Sequence, residues 1–344
     1  MIRRSSLLAA ALVAAALFSP GQAQAPAAVV TAEVRAKGET VPVGTAADDA
    51  ADDPAIWLNR RDPTASLIVA TDKKAGLYVY GLDGKIRHFV ADGRLNNVDL
   101  VDMGRAGIMV VASDRNDKAA AKLRLYRLDT ATVQLVPLAV FDGGAGEAYG
   151  LCLVRRGSGF DAFSVLKDGL VAQVQVRLGK APQGTIVRYL KVPTQTEGCV
   201  VDPRSETLYV GEEDVGIWAF DARARGPVLG RLAVKVDGVR LVADVEGLAL
   251  APQGRKGGWL VASSQGDNAY ALYRLPDLAY VGRFRIAAGP FGSVEETDGI
   301  ELKLGNFGPD YPAGLFVAQD GMNEPASQNF KLVSWAEVLA ALGQ

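Results

Sequence analysis

The chain has 344 residues, 49% of them apolar and 22% charged, with 38 glycines and 16 prolines. That length can bury a large core, and the glycine count suits many tight turns. A formal net charge of −2 offers no basic excess for gripping nucleic acid, and the single histidine, His88, excludes histidine-rich zinc sites and any Ser-His-Asp triad built elsewhere.

The first element in chain order is a leader. Arg3 and Arg4 precede an apolar run from Leu7 to Phe18, then Ser19-Pro20 and the small-residue site Ala23-Gln24-Ala25. This is the pattern of a secretory signal peptide cleaved after Ala25, and the run is short for a membrane span. The expectation is an exported chain, periplasmic or secreted, in which residues 26–344 form a single domain with no membrane anchor. Losing Arg3 and Arg4 takes the net charge to −4. Export also permits a disulfide between Cys152 and Cys199, the only cysteines; two buried free thiols are the alternative.

Residues 26–45 read as a lead-in whose last part, around Glu39–Val43, supplies a closing strand. Six polar or acidic starts then open onto apolar, β-prone runs: Asp53-Pro-Ala-Ile-Trp57, Asn97-Val-Asp-Leu-Val101, Tyr149-Gly-Leu-Cys-Leu153, Glu197-Gly-Cys-Val-Val201, Glu246-Gly-Leu-Ala-Leu250 and Asp298-Gly-Ile-Glu-Leu302. They lie 44 to 52 residues apart. Each unit has a second apolar run ending in a polar cluster, such as Thr71-Asp72-Lys73-Lys74, Ser113-Asp114-Arg115 or Glu212-Glu213-Asp214, and then an alternating strand and a turn. Repeats of that length with about four strands apiece predict an all-β, six-bladed β-propeller of mostly four-stranded antiparallel blades around a central channel. One helix is expected, Ser334 to Leu342, with Ser334 as its N-cap. His88 falls in the alternating segment Lys85–Val90 and reads as a surface residue.

A propeller gathers one end of each repeat around a single axis. Asp52, Asp53, Asp99, Glu197, Glu212, Glu213, Asp214, Asp244, Glu246, Glu295, Glu296, Asp298 and Asp320 all stand at strand ends. Any one loop carboxylate is commonly just solvated, and Asp-Gly pairs recur because they make turns. A crowd of them at one end of a barrel is different, because not all can stay ionised without compensation. A hard divalent cation compensates, and oxygen donors without His or Cys favour calcium over zinc. Lys73, Lys74, Arg115 and Lys167 stand among the acids, and cation cages beside positive side chains suit a polyanion, phosphate above all.

These residues carry a resemblance to a known family. Asp48-Asp-Ala-Ala-Asp-Asp-Pro-Ala-Ile-Trp57 closely resembles the signature of the β-propeller phytases, also called calcium-dependent alkaline phytases. So do Leu95-Asn-Asn-Val-Asp-Leu100, Gln195-Thr-Glu-Gly198, Glu212-Glu-Asp214, Asp244-Val-Glu-Gly-Leu248, Ala262-Ser-Ser-Gln-Gly266, Thr297-Asp-Gly-Ile300 and Gly314–Gly321 with Asn329-Phe-Lys331. The resemblance implies a hydrolase of the 3-phytase type that releases phosphate from myo-inositol hexakisphosphate, using several calcium ions and direct attack of a metal-held water on phosphorus. It implies that Asp52, Glu197, Glu213, Asp244, Glu246 and Asp298 surround the catalytic calcium ions, with Asp320 as a further ligand. It implies that Lys73, Arg115, Tyr149 and Lys167 hold the scissile phosphate, with Glu197 and Asp298 joining them in catalysis. Asp53, with backbone carbonyls near Pro54 and Val98, is implied as a stabilising calcium site. A neighbouring second phosphate site is also implied. The expected partners are phytate or other inositol polyphosphates as calcium complexes, and the chain is expected to be a monomer.

The sequence departs from the family at several points. Asp72 stands where the family usually has Asn, and Val165-Leu-Lys-Asp-Gly-Leu170 lacks the family's Gly before Lys167 and Glu after it. Met322 replaces a common acidic ligand after Asp320, and the loop Gly289–Glu296 is short; both bear on a structural calcium site and leave the catalytic set intact. Two other functions fit a calcium-binding propeller: a lactonase or esterase, and a non-catalytic binder of polyanions. Lys73, Arg115 and Lys167 argue against the first of these.

Overall fold

The computed structural model describes residues 29–46 and 49–344, so the expected leader and Asp48 of the first motif lie outside the described residues. It is a six-bladed β-propeller. Blades one to four are each four consecutive antiparallel strands, and their inner strands are Ala51–Trp57, Leu95–Asp102, Ala148–Arg156 and Thr196–Asp202. Blades five and six begin on Val245–Gln253 and Ile300–Leu304. The inner strands pack one against the next around the axis and close the ring, blade six against blade one.

The packing explains why second strands such as Leu67-Ile-Val-Ala-Thr-Asp72 show no alternation. Both faces of a middle strand are covered by neighbouring blades, so every residue of this one is buried. The outermost strand of blade three, Gln183–Lys191, instead alternates exposed positions with half-covered or, at Leu190, buried ones. The core is divided accordingly into six main apolar layers, one between each pair of blades. His88 lies half-buried on the outer strand Ile86–Val90, in keeping with a surface role.

Closure comes from the N-terminal lead-in, with two differences from expectation. The closing strand is Gly38–Glu39, antiparallel to Asn329–Ser334, although its ladder extends from Lys37 N–Leu332 O (2.8 Å) to Val43 N–Gln328 O (3.0 Å). An additional strand, Thr31–Val34, runs parallel to Ala279–Ile286 and gives blade five a fifth strand. Four residues without an apolar alternation leave no sequence signal for it. The C-terminal helix is Trp335–Ala341; Ser334 occupies the N-cap position without a side-chain capping bond. Trp335 and Val338 anchor it in the layer between blades five and six. Among the described residues, no helix is long and apolar enough to cross a membrane.

Cys152 and Cys199 form a disulfide, Cα–Cα 5.7 Å, that links the inner strands of blades three and four. It closes a loop of 47 residues in sequence separation and sits in the apolar layer between those blades. Constraint of the unfolded chain by a loop of that size contributes about 2–4 kcal/mol. The double variant Cys152→Ala/Cys199→Ala is therefore expected to melt several degrees lower; an unchanged melting temperature would show that blade packing alone holds this pair of strands.

Candidate active site

Five of the six inner strands carry a register irregularity at their start. Pairing with the second strand skips between Ala51 and Pro54, Leu95 and Val98, Ala148 and Leu151, Thr196 and Cys199, and Val245 and Leu248. The extra residue of a bulge is freed from the ladder and re-aims its side chain. The positions so freed hold Asp52 and Asp53, Asn96 and Asn97, Tyr149, Glu197 and Glu246. In blade six Asp298 precedes its strand, and the backbone ties it into the ring: Gly247 N donates to Asp298 O at 2.8 Å and Gly299 N to Asp52 O at 3.0 Å. The glycine after the functional residue is required by this closeness, since a Cβ on Gly198 would stand 2.0 Å from the Glu246 carbonyl oxygen.

The freed carboxylates meet at the mouth of the channel. One oxygen each from Glu197, Glu213 and Glu246 lies within 4.8 Å of the others, and all three residues are buried. Asn96 Nδ2 bridges Asp52 Oδ2 (3.0 Å) and Glu197 Oε1 (2.7 Å). Lys73 Nζ lies 2.7 Å from Asp52 Oδ1 and 2.9 Å from Asp298 Oδ2, and also contacts Asp49. Gln265 Nε2 donates to Asp298 Oδ1 at 2.7 Å. Glu213 Oε1 and Glu246 Oε2 are buried with no hydrogen-bond partner.

The electrostatics follow from burial and crowding. Burial pushes Glu197 well above the usual carboxylate range, and repulsion from Asp52, Glu246 and Asp298 adds to it despite Lys73. Burial raises Glu246 likewise, with Asp298, Glu213 and Asp52 adding to the shift. Asp298 is raised by burial to about 7, with Lys73 pulling the other way. Burial alone would lower the Lys73 ammonium, but Asp52, Asp298, Glu197 and Asp49 push it up, so it stays charged. Buried carboxylate oxygens that lack partners and resist ionisation are a donor set that fits a hard cation.

Beside this cage is a cavity of about 270 Å³ lined by Lys73, Lys74, Arg94, Arg115, Lys118 and Lys167. Asp49 and Glu147 are the carboxylates in its wall. Lys73 therefore belongs to both compartments. Tyr149 lies at the border as well: the Lys167 ammonium stands 5.0 Å from its ring centroid. Burial and the surrounding Glu197, Glu246 and Asp52 hold its phenol protonated. Lower in the channel, Asp53 Oδ2 accepts from Val98 N at 3.0 Å, and Pro54 lines the same pocket. Asp320 is elsewhere. Its carboxylate is 3.0 Å from the buried Lys331 ammonium, in a group with Glu39, Asn323 and Asn329.

The sequence profile of the phytase family matches residues 4–344. The chain belongs to the phytase family. It is also 38% identical over 331 residues to the 3-phytase of Bacillus subtilis (strain 168), a match covering 91% of this chain and 86% of that protein. It is accordingly an enzyme, a phytase, and not a propeller that only binds.

Within this phytase the structure brings together Asp52, Glu197, Glu213, Glu246 and Asp298 on one side and Lys73, Arg115, Tyr149 and Lys167 on the other. Asp244 stands near the cage, where its charge adds to the rise at Glu246. Asp99, grouped by sequence with the channel-mouth acids, accepts from Leu100 N and Leu153 N and lies lower in the channel, where with Glu301 it lines both the pocket of Asp53 and the next one down, beside Lys303. Sequence reasoning assigned no role to Asn96, Gln265, Arg94, Lys118 or Glu147. Asn96 and Gln265 were inside recognised motifs, and only their contacts reveal what they do.

The raised carboxylates give cation-free protein a definite pH dependence. Between pH about 4, where an unfolded carboxyl titrates, and the raised folded values, the folded chain holds protons that the unfolded chain has lost. Each step up in pH through that window favours unfolding. In chelator the melting temperature is expected to fall from pH 5 to pH 8; a flat or rising profile would mean the cage is compensated by groups of the chain itself.

Proposed function

We propose that this phytase is calcium-dependent and releases phosphate from myo-inositol hexakisphosphate by direct attack of water on phosphorus. The observation that carries the reading is a cage of buried carboxylates, two with unpartnered oxygens, sharing Lys73 with a cavity lined by five further cations. The donors near the mouth are all oxygen, which fits calcium and not a soft metal. Asp52, Glu197, Glu213, Asp244, Glu246 and Asp298 would hold the catalytic ions, and Asp53 with Pro54 and Val98 a stabilising one. Asp320, held by Lys331, would be a ligand at a separate site. When bound, calcium supplies positive charge that keeps the carboxylates ionised, makes water more acidic and stabilises charge on phosphoryl oxygens.

The chain's own groups do the rest. Arg115 and Lys167 face the cavity as cations that can seat phosphate oxygens, Arg115 as a planar fork and Lys167 as a movable point charge. Lys73, fixed by Asp52 and Asp298, carries positive charge to the boundary where a phosphate would meet the cage. The protonated phenol of Tyr149 is a donor at the same boundary. Asn96 holds Asp52 and Glu197 in a set relation, so the carboxylates are placed before any ligand arrives. The reading includes export of a monomer, substrate taken as its calcium complex, and first attack at the 3-position, the position named for the Bacillus subtilis relative.

Phosphate release from phytate is expected to vanish with a calcium chelator and return with added calcium. Glu197→Gln is expected to lower the rate about 100-fold or more while leaving the melting temperature of calcium-loaded protein nearly unchanged. Release that persists in chelator would sink the calcium assignment; wild-type turnover in the variant would sink the site assignment.

A further inference from the structure

The basic cavity contains a carboxylate that the phosphate-binding reading does not use. Glu147 Oε1 lies 3.1 Å from Lys118 Nζ and 3.7 Å from an Arg115 terminal nitrogen. Its backbone is held in place, because Lys167 N donates to Glu147 O at 3.1 Å. The Glu147 and Arg115 side chains are 18% and 12% exposed, so water screens their contact only in part. Among the described residues, Arg94 and Lys167 have no carboxylate within ion-pair distance. Asp49, the other acid of the wall, serves Lys73 and Lys74. Among the described residues, Glu147 is thus the carboxylate of the cavity wall that pairs with cations other than Lys73 and Lys74.

A phosphate dianion that reaches Arg115 must enter the field of Glu147. A carboxylate there has two opposite effects. It holds Arg115 and Lys118 at the cavity, and it repels the ligand and competes with it for both cations. We propose that Glu147 is a positioning and release residue: it keeps Arg115 and Lys118 in place while the cavity is empty, and weakens the hold on phosphate so that product leaves. This rests on the cavity being the phosphate site of the preceding section. The two roles predict opposite signs. A scaffold that only fixed Arg115 would, when its charge was removed, loosen phosphate binding; a competitor would tighten it.

Glu147→Gln keeps the shape and an acceptor oxygen for Lys118 and removes the charge. Hydrolysis of phytate, inhibited by inorganic phosphate at one free-calcium concentration below that of calcium phosphate precipitation, reads the effect. The inhibition constant for phosphate is expected to fall about three- to tenfold, with a lower KM for phytate and no gain in kcat. An unchanged or higher inhibition constant would overturn the proposal. Glu147→Asp, which keeps the charge and draws it back, is expected to shift the constant downward by less, and carries the same test should the Gln variant fail to fold. Arg115→Gln separates the two readings. If it weakens phosphate inhibition while Glu147→Gln fails to strengthen it, only the role of Glu147 falls. If Arg115→Gln leaves inhibition unchanged, the cavity is not the phosphate site and both readings fall together.

Discussion

One constraint organises the channel mouth: carboxylates from four blades share a buried space with the Lys73 ammonium. Asp52, Glu197, Glu246 and Asp298 repel one another, and among the described residues Lys73 is the only cation paired with them, bonded to two. Burial multiplies both repulsion and attraction, because little water remains to screen either. Lys73 is therefore fixed as firmly as a structural residue, although it also lines the ligand cavity. Such a cage is tolerable only because the surrounding fold is over-determined. Six apolar layers and a ring closed by the N-terminal strand hold the carboxylates where an open sheet would let them separate.

The same constraint explains the bulges. A strand in strict register alternates its side chains between the two neighbouring blades and presents none squarely to the axis. An extra residue at the start breaks that alternation for one position, which is where Asp52, Asn96, Tyr149, Glu197 and Glu246 sit. Turning the chain there brings neighbouring backbones close enough that Gly198 admits no side chain. Glycine after the functional residue and acid at the functional residue are two results of one geometry.

The architecture was legible in the sequence because it repeats. A polar start followed by an apolar run, recurring six times, marks inner strands whatever the side chains do. The Thr31–Val34 strand does not repeat, pairs in parallel with the far end of blade five, and left no pattern to find. The cysteine pairing depended on which inner strands are neighbours; once blades three and four are adjacent, Cys152 and Cys199 meet. Within the site, charged ends of strands could be read, and most met. Asp99 shows the limit. Two residues past the bulge, a strand has already carried its side chain down the channel, so a carboxylate close in sequence to Asn97 leaves the mouth and joins Asp53 and Glu301 lower down. Neutral residues such as Asn96 carry no charge signal, and nothing in the sequence marks Glu147, whose place follows from its contacts with Lys118 and Arg115.

The adjacency of an acidic cage and a basic cavity has a consequence for any phosphate ligand. The cavity attracts a polyanion, while the carboxylates on the far side of Lys73 repel one. On the proposed calcium reading, ion and phosphate would each improve the other's site, because positive charge held by the cage carboxylates would remove the repulsion that phosphate meets. Linkage then requires that the two bind cooperatively, each raising the affinity of the other by the same factor. Lys73 is placed to transmit that coupling. Its ammonium is divided between Asp52 and Asp298, and neutralising those carboxylates from the cage side releases its charge toward the cavity. Shared possession of one lysine thus joins the two halves of the site into a single binding surface.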